Sequence, residues 1–293
     1  MVGRIGTGAP VRSPSRRMTA ASTKRPTACH LIEIPREPIP PSLVKSAARV
    51  MQIFDFFDEV GREAKASEIG GRLNFPQSST SVLLNSLVEM GFLDYEERTR
   101  TFLPSPRIAL LGSRLGAGPM RDGRVIRIME ALADRTGETI ILAIRNGPYA
   151  LDVKVIQGKQ PNAIIIPQGQ RRLAVRSAAG LALLKDEPDA LIAALCRRAN
   201  AESNDDTRID LNQVRADLEY TRTYGYFFSR ELAVGGVGAI AVPLQTGLDG
   251  GSRKFAIAVS GQVQEIALRE ADIVKAIKDE ITSGLLPEQS PGV

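Results

Sequence analysis

Residues 66–93 read "ASEIGGRLNFPQSSTSVLLNSLVEMGFL", and the order of residue types within them decides the fold. Ile69 and Leu73 fall on one side of a short helix over 66–73, although Gly70 and Gly71 each cost it about 1 kcal/mol relative to alanine. Packing rather than propensity must therefore hold that helix. Asn74 and Phe75 make a turn, and Pro76 suits the first position of the next helix because its missing N–H has no partner there. Thr80, Leu83, Leu84, Leu87 and Val88 then repeat at helical spacing as a buried stripe, and Gly91 stops the helix. Opposite the stripe stand Gln77, Ser78, Ser79, Ser81 and Asn85, small polar groups with almost no charge among them.

Upstream, Leu43, Ala47, Val50, Met51, Phe54 and Phe57 predict an amphipathic helix over 42–59, with Ser42 as its N-cap. Downstream, Phe92, Leu93 and Tyr95, the polar run "EERTR" at 96–100, and then Phe102 and Leu103 predict two short strands around a charged turn. Three helices and a hairpin in so short a stretch make a winged helix-turn-helix. Alone, the small polar face equally suits an ordinary packing helix. The short connector and the hairpin favour the second helix of a helix-turn-helix, whose hydroxyls and amides can approach phosphates and base edges in a major groove. Its N-terminal N–H groups suit a phosphate, and the wing arginines Arg98 and Arg100, with Arg107 beyond them, are placed to meet others. Residues 42–110 nevertheless carry eight basic and nine acidic side chains. Useful affinity for double-stranded DNA then needs a second copy or another source of positive charge.

That source stands at the N-terminus. The 293-residue chain carries a net charge of +5, and residues 1–41 hold seven basic side chains against two acidic ones. This Pro/Ser/Arg-rich arm buries too little apolar surface to fold and reads as disordered, either a solvated tail or an arm touching DNA phosphates. No apolar run approaches the ~20 residues of a membrane span, and the first 30 residues lack the apolar centre of a signal peptide, so the expected location is cytoplasmic and no membrane is involved. Two cysteines, Cys29 and Cys196, and one histidine, His30, supply neither a disulfide framework nor a metal site, and no cofactor is called for. No carboxylate pair is marked out for acid and base work, so nothing in the sequence specifies an enzyme.

The remaining chain divides into a linker helix over 106–122, interrupted by "GAGP" at 116–119, an α/β domain over 123–286 and a short tail over 287–293. The domain's strands are expected at 139–144, 151–156, 163–167, 226–230, 237–245 and 255–260. Its helices are expected at 177–184, 189–199, 211–224 and 265–284, after a first one carrying Val125, Ile128, Met129 and Leu132. Tight turns such as "RNGP" and "LDGGS" join neighbouring strands, which predicts an α+β chain with a mainly antiparallel sheet. The glycines of "GGVG" at 235–238 do not make a nucleotide loop, since neither the required spacing nor a following helix is present.

Taken together, "SLVKSAARVMQIFDFF", the stretch quoted at the outset, "RTFLPSPRIALLG", "LADRTGETIILAIRNG", "GYFFSRELAVGGVGAIAVPL" and "AIAVSG" resemble, in order and spacing, the IclR-type bacterial transcription regulators. The resemblance runs from about Leu43 to Ile281. It implies a homodimer or homotetramer, a winged helix on DNA, and a GAF-like α/β domain that binds a small-molecule effector, often an organic or aromatic acid. By position it assigns the effector pocket to Ile164, Arg172, Ala178, Ala179, Ser229, Ala239, Ala258 and Ser260. The sequence departs from the family pattern at four places. The family usually has an acidic residue at Ser229, a cysteine at Ala239, "HATALGK" where "VRSAAGL" stands, and basic or histidine side chains at Gln77, Ser81 and Val82. Arg172 either meets a ligand carboxylate with its fork or is one more surface arginine of the "QRR" run. The reading that opposes a ligand-responsive regulator is a metabolite-binding or catalytic α/β protein whose winged helix serves protein contacts only.

Overall fold

The computed structural model describes residues 32–35, 43–112, 118–202, 208–244 and 252–285. Helix α1 (Lys45–Val60) buries Ile53, Phe56 and Phe57 and ends at Gly61, whose φ of 63° is left-handed. Val44 occupies its N-cap with no side-chain hydrogen bond, whereas the expected cap Ser42 lies outside the described residues.

Helix α2 (Ala66–Leu73) shows why a glycine stands where propensity disfavours it. A Cβ at Gly70 would lie 3.3 Å from Thr80 Oγ1, so glycine lets α2 approach α3 (Gln77–Glu89) closely. Pro76 serves as the N-cap of α3 rather than its first residue, since its ψ of 134° is extended. Thr80, Leu84 and Leu87 are buried, while Leu83 and Val88 are half-buried at the edge of the same cluster. Strands β1 (Leu93–Glu96) and β2 (Thr101–Pro104) pair antiparallel, from Leu93 opposite Pro104 to Glu96 opposite Thr101. Leu93 and Phe102 from this hairpin join Ile53, Phe56, Ile69 and Leu84 in one core.

Helix α4 (Pro106–Gly112) follows, and then a single turn α5 (Gly118–Arg121). Gly118 and Pro119, expected as part of an interruption, therefore open this turn, which a proline tolerates because its N–H would be unsatisfied there.

The second domain begins with α6 (Arg124–Thr136), β3 (Thr139–Asn146), β4 (Tyr149–Ile156) and β5 (Arg171–Leu173). After a 3-10 turn come α7 (Ala178–Leu184), α8 (Asp189–Glu202) and α9 (Leu211–Tyr224). Strands β6 (Phe227–Arg230), β7 (Val237–Pro243) and β8 (Phe255–Gln262) complete a six-stranded sheet in the order β5-β4-β3-β8-β7-β6. Every pairing in it is antiparallel. The expected terminal helix is two, α10 (Val263–Leu268) and α11 (Glu270–Leu285), divided at Arg269, whose guanidinium reaches back to Thr136 O at 2.9 Å.

The strand expected over 163–167 is not part of this sheet. Ile164 and Ile166 are buried there, but Ile165 forms only an isolated parallel bridge to Glu33, and Pro167 has no N–H to give a ladder. The third strand of this region is the charged β5 instead, paired to β4 through Ala150 and Arg172. The "LDGGS" turn lies largely outside the described residues.

Alternation along the strands sends side chains to two separate cores. Ile140, Leu142, Phe255, Ile257 and Val259 meet Met129 and Leu132 of α6 and Ile273 and Ile277 of α11. Ile141, Ala143, Ala256 and Ala258 face α7, with α8 and α9 outside it through Ile192, Leu195, Val214 and Leu218. Helix α7 sits tightly at its start, where a Cβ on Gly180 would fall 2.1 Å from Ala174 O.

Candidate functional sites

The first site is the N-terminal end of α3 with the wing beside it. Pro76 O accepts from Thr80 N, Ser79 Oγ and Thr80 Oγ1, each at 3.0 Å, and Gln77 O accepts from Ser81 Oγ at 3.1 Å. The hydroxyls of Ser79 and Ser81 are thus engaged on their own helix, and both residues are half-buried rather than fully outward as expected. One residue turns a helix by roughly 100°, which brings residues 79 and 81 to the flanks of the face that Thr80 buries. Gln77, Ser78 and Asn85 are exposed, together with Val82, which the sequence reading did not place on this face. No side chain caps α3, so its leading backbone N–H groups remain open at the surface.

In the wing, Arg98 and Arg100 are both exposed on the turn between β1 and β2. Arg98 N donates to Glu96 Oε1 at 3.2 Å, and Arg100 takes a left-handed φ of 55°, so the turn is shaped by its own residues. Arg107 is exposed, with part of its guanidinium engaged inside the domain. Its Nη1 donates to Met90 O at 2.6 Å and its guanidinium lies 4.6 Å from the Phe92 ring centroid, which ties α4 to the end of α3.

The second site is a small cavity between the sheet and α7, partly open to solvent. Seven of the eight residues assigned by resemblance line it: Arg172 on β5, Ala178 and Ala179 on α7, Ser229 on β6, Ala239 on β7, and Ala258 and Ser260 on β8. Ile164 does not. It is fully buried beside the cavity, and Ile166, two residues on, takes the lining position. The space exists because small side chains meet small ones: alanines on two strands and two alanines at the start of α7, which Ser177 caps by accepting from Gly180 N at 3.1 Å.

Arg172 is neither a free guanidinium nor a surface residue. Its Nη1 donates to Asp152 Oδ2 of the adjacent strand, and Asp152 is only 1% exposed. Its Nη2 is buried without a hydrogen-bond partner. A buried ion pair with one open donor can still take a further acceptor, and a ligand carboxylate would complete it. Asp152 was missed by the sequence reading, although the signal was present: in "YALDVKVI" the aspartate shares a strand face with the buried Ala150. Asp152 also fixes the loop behind it, since Asp152 N donates to Gln170 O and Gly169 N to Asp152 O, each at 2.9 Å.

The cavity has a wall that sequence reading assigned to a disordered arm. Residues 32–35 lie against residues 163–167, and Ile34, 6% exposed, lines the cavity. The rest of the arm, residues 1–31 and 36–41, lies outside the described residues.

Comparison with known proteins matches both domains of the chain. The family model for the IclR helix-turn-helix domain matches residues 46–97, and that for the C-terminal domain of bacterial IclR transcriptional regulators matches residues 124–282. The chain is 25% identical over 258 residues to the HTH-type transcriptional repressor AllR of Escherichia coli K12, covering 85% of this chain and 93% of that protein. The AllR of Salmonella typhimurium LT2 matches to the same extent. Among solved structures, the Thermotoga maritima IclR superposes with a TM-score of 0.55 at 19% identity, over 82% of this chain and 97% of that one. An Acinetobacter effector domain gives 0.53 at 19%, over 57% and 96%. These structural likenesses concern the fold: a helix-turn-helix followed by an α/β domain with an antiparallel sheet.

Proposed function

Because this chain belongs to the IclR family of DNA-binding transcription regulators and is not an enzyme, we propose that its second domain binds a small organic or aromatic acid in the alanine-lined cavity and thereby alters operator binding. The observation that carries this reading is the Arg172–Asp152 pair, whose buried Nη2 stands unpartnered at the cavity wall. Small apolar walls would hold the body of the ligand, and Arg172, Ser229 and Ser260 its polar end. Ala178, Ala179, Ala239 and Ala258 leave room for a ring or short chain.

On the DNA side, Gln77, Ser78, Ser79, Ser81 and Asn85 would face the major groove, and Arg98 and Arg100 the flanking phosphates. The near-neutral charge of this domain favours a homodimer or homotetramer, in which two winged helices add their hold. Effector control then requires only that the acid bind one arrangement of the subunits better than another. The same reading divides the chain into arm, winged helix, linker, effector domain and tail, except that residues 32–35 of the arm pack on the effector domain, and it puts the chain's work on DNA in the cytoplasm. No helix among the described residues is long and apolar enough to cross a membrane.

The test is thermal unfolding with benzoate and succinate as first probes, followed by gel shifts on the promoter next to the protein's own gene. A ligand that binds only the folded state must raise Tm, and Arg172→Lys should abolish the rise because a lysine cannot fill the fork geometry. If no small carboxylate raises Tm or changes the gel shift, the carboxylate reading is wrong.

A further inference from the structure

The segment Ile32–Pro35 has no place in a sheet of its own domain, yet it is held at both sides. Ile34 N donates to Ile165 O at 2.9 Å, and Ile165 N donates to Ile32 O at 3.0 Å. Glu33 thereby forms a parallel bridge with Ile165. Ile34 belongs to the same apolar cluster as Ile141 and Ile166, with which it lines the cavity, and half-buried Ile32 packs on that cluster. On the other side Gly236, with a φ of 78°, leaves room for the segment, since a Cβ there would lie 3.3 Å from Ile32 Cδ1.

These contacts also explain the stretch 163–167. Its apolar residues face inward without a sheet ladder because its open backbone edge is taken by Ile32–Ile34. Helix α1, which begins ten residues after Pro35, touches the adjoining stretch of the second domain: Gln168 Nε2 donates to Asp55 Oδ1 at 3.4 Å and Lys154 Nζ to Asp58 Oδ2 at 2.6 Å.

We propose that Ile32–Pro35 is a strap that closes the cavity of its own chain, with Ile34 as a wall against which any occupant must fit. This deepens the effector reading and rests on it for the ligand, but not for the closure.

Two measurements on the full chain test the strap without any ligand. In a Cys29→Ser background, Ala239→Cys places a thiol on the cavity wall. The native Cys196 stays silent because it is buried and burial pushes its thiol pKa up. N-ethylmaleimide should label residue 239 slowly, on the order of tenfold faster once Ile34→Asp lifts the strap, and slowly again in Ile34→Leu. Hydrogen exchange should show the amide of Ile165 losing its protection in Ile34→Asp while the amides of β3 and β8 keep theirs, which establishes that the domain remains folded. Labelling of residue 239 at one rate with isoleucine, leucine or aspartate at position 34, or an Ile165 amide that exchanges equally fast in all variants, overturns the strap. A flat response to carboxylates with a closed strap would instead overturn the effector reading alone.

Discussion

The two faces of the six-stranded sheet are made by the same strands and differ in one respect. Towards α6 and α11, successive positions carry Ile140, Leu142, Ile240, Val242, Phe255, Ile257 and Val259. Towards α7, the residues between them are mostly small, Ala143, Ala239, Ala241, Ala256 and Ala258 with the larger Ile141, joined by Ser229 and Ser260. Helices cover both faces, and the first is filled while the second keeps a void. The sheet's share of the cavity is therefore written as small residues alternating with large ones, while Ile34 of the strap and Val234 between β6 and β7 complete its wall. An ion pair is buried beside the void.

Substitutions can break this comparison in order of size. Arg172→Met leaves Asp152 charged and buried, and should cost about 3–5 kcal/mol in urea unfolding. Replacing both partners, with Asp152→Leu added, should recover most of that loss; if the single variant unfolds like wild type, the pair is not sealed from water as described. On the filled face, Ile257→Ala should cost about 3 kcal/mol, since the tight packing cannot collapse around the missing atoms. Ala239→Val, on a neighbouring strand but pointing to the void, should cost about 1 kcal/mol or less while abolishing any Tm rise by a carboxylate. An Ala239→Val variant that still responds fully would place the ligand elsewhere. Smallest is Arg98→Ala on the wing, expected to change stability by no more than about 0.5 kcal/mol. Its effect belongs on DNA, where the salt dependence of operator binding should fall by about one counterion per subunit.

The winged helix was legible because each element carries its own period and its own stop: leucines at helical spacing, Pro76 before α3, Gly91 after it. The two-sided sheet was legible for the same local reason. The strand over 163–167 was misread because an apolar run looks alike whether its backbone sits in a ladder or only its side chains are buried. β5 was passed over because three residues headed by two arginines look like surface. Within the cavity, most of the lining followed from resemblance, but Asp152 needed a partner on another strand to be noticed, and Arg172 could not be assigned without it. The strap escaped entirely. "LIEIP" is a two-isoleucine island in a basic, proline-rich arm, and its partner at Ile165 lies far along the chain.

The serine hydroxyls of α3 carry a consequence for the operator. Ser79 and Ser81 already donate to backbone carbonyls at the start of α3, so towards a base edge each offers its oxygen lone pairs but no spare donor. Positions of the binding site opposite these two residues should discriminate only weakly between base pairs. Positions opposite Gln77 and Asn85, whose amides are exposed and uncommitted to such bonds, should carry the sequence information. Aligned operators would then show a few sharp columns separated by weaker ones, a spacing dictated by which side chains had hydrogen bonds left to give.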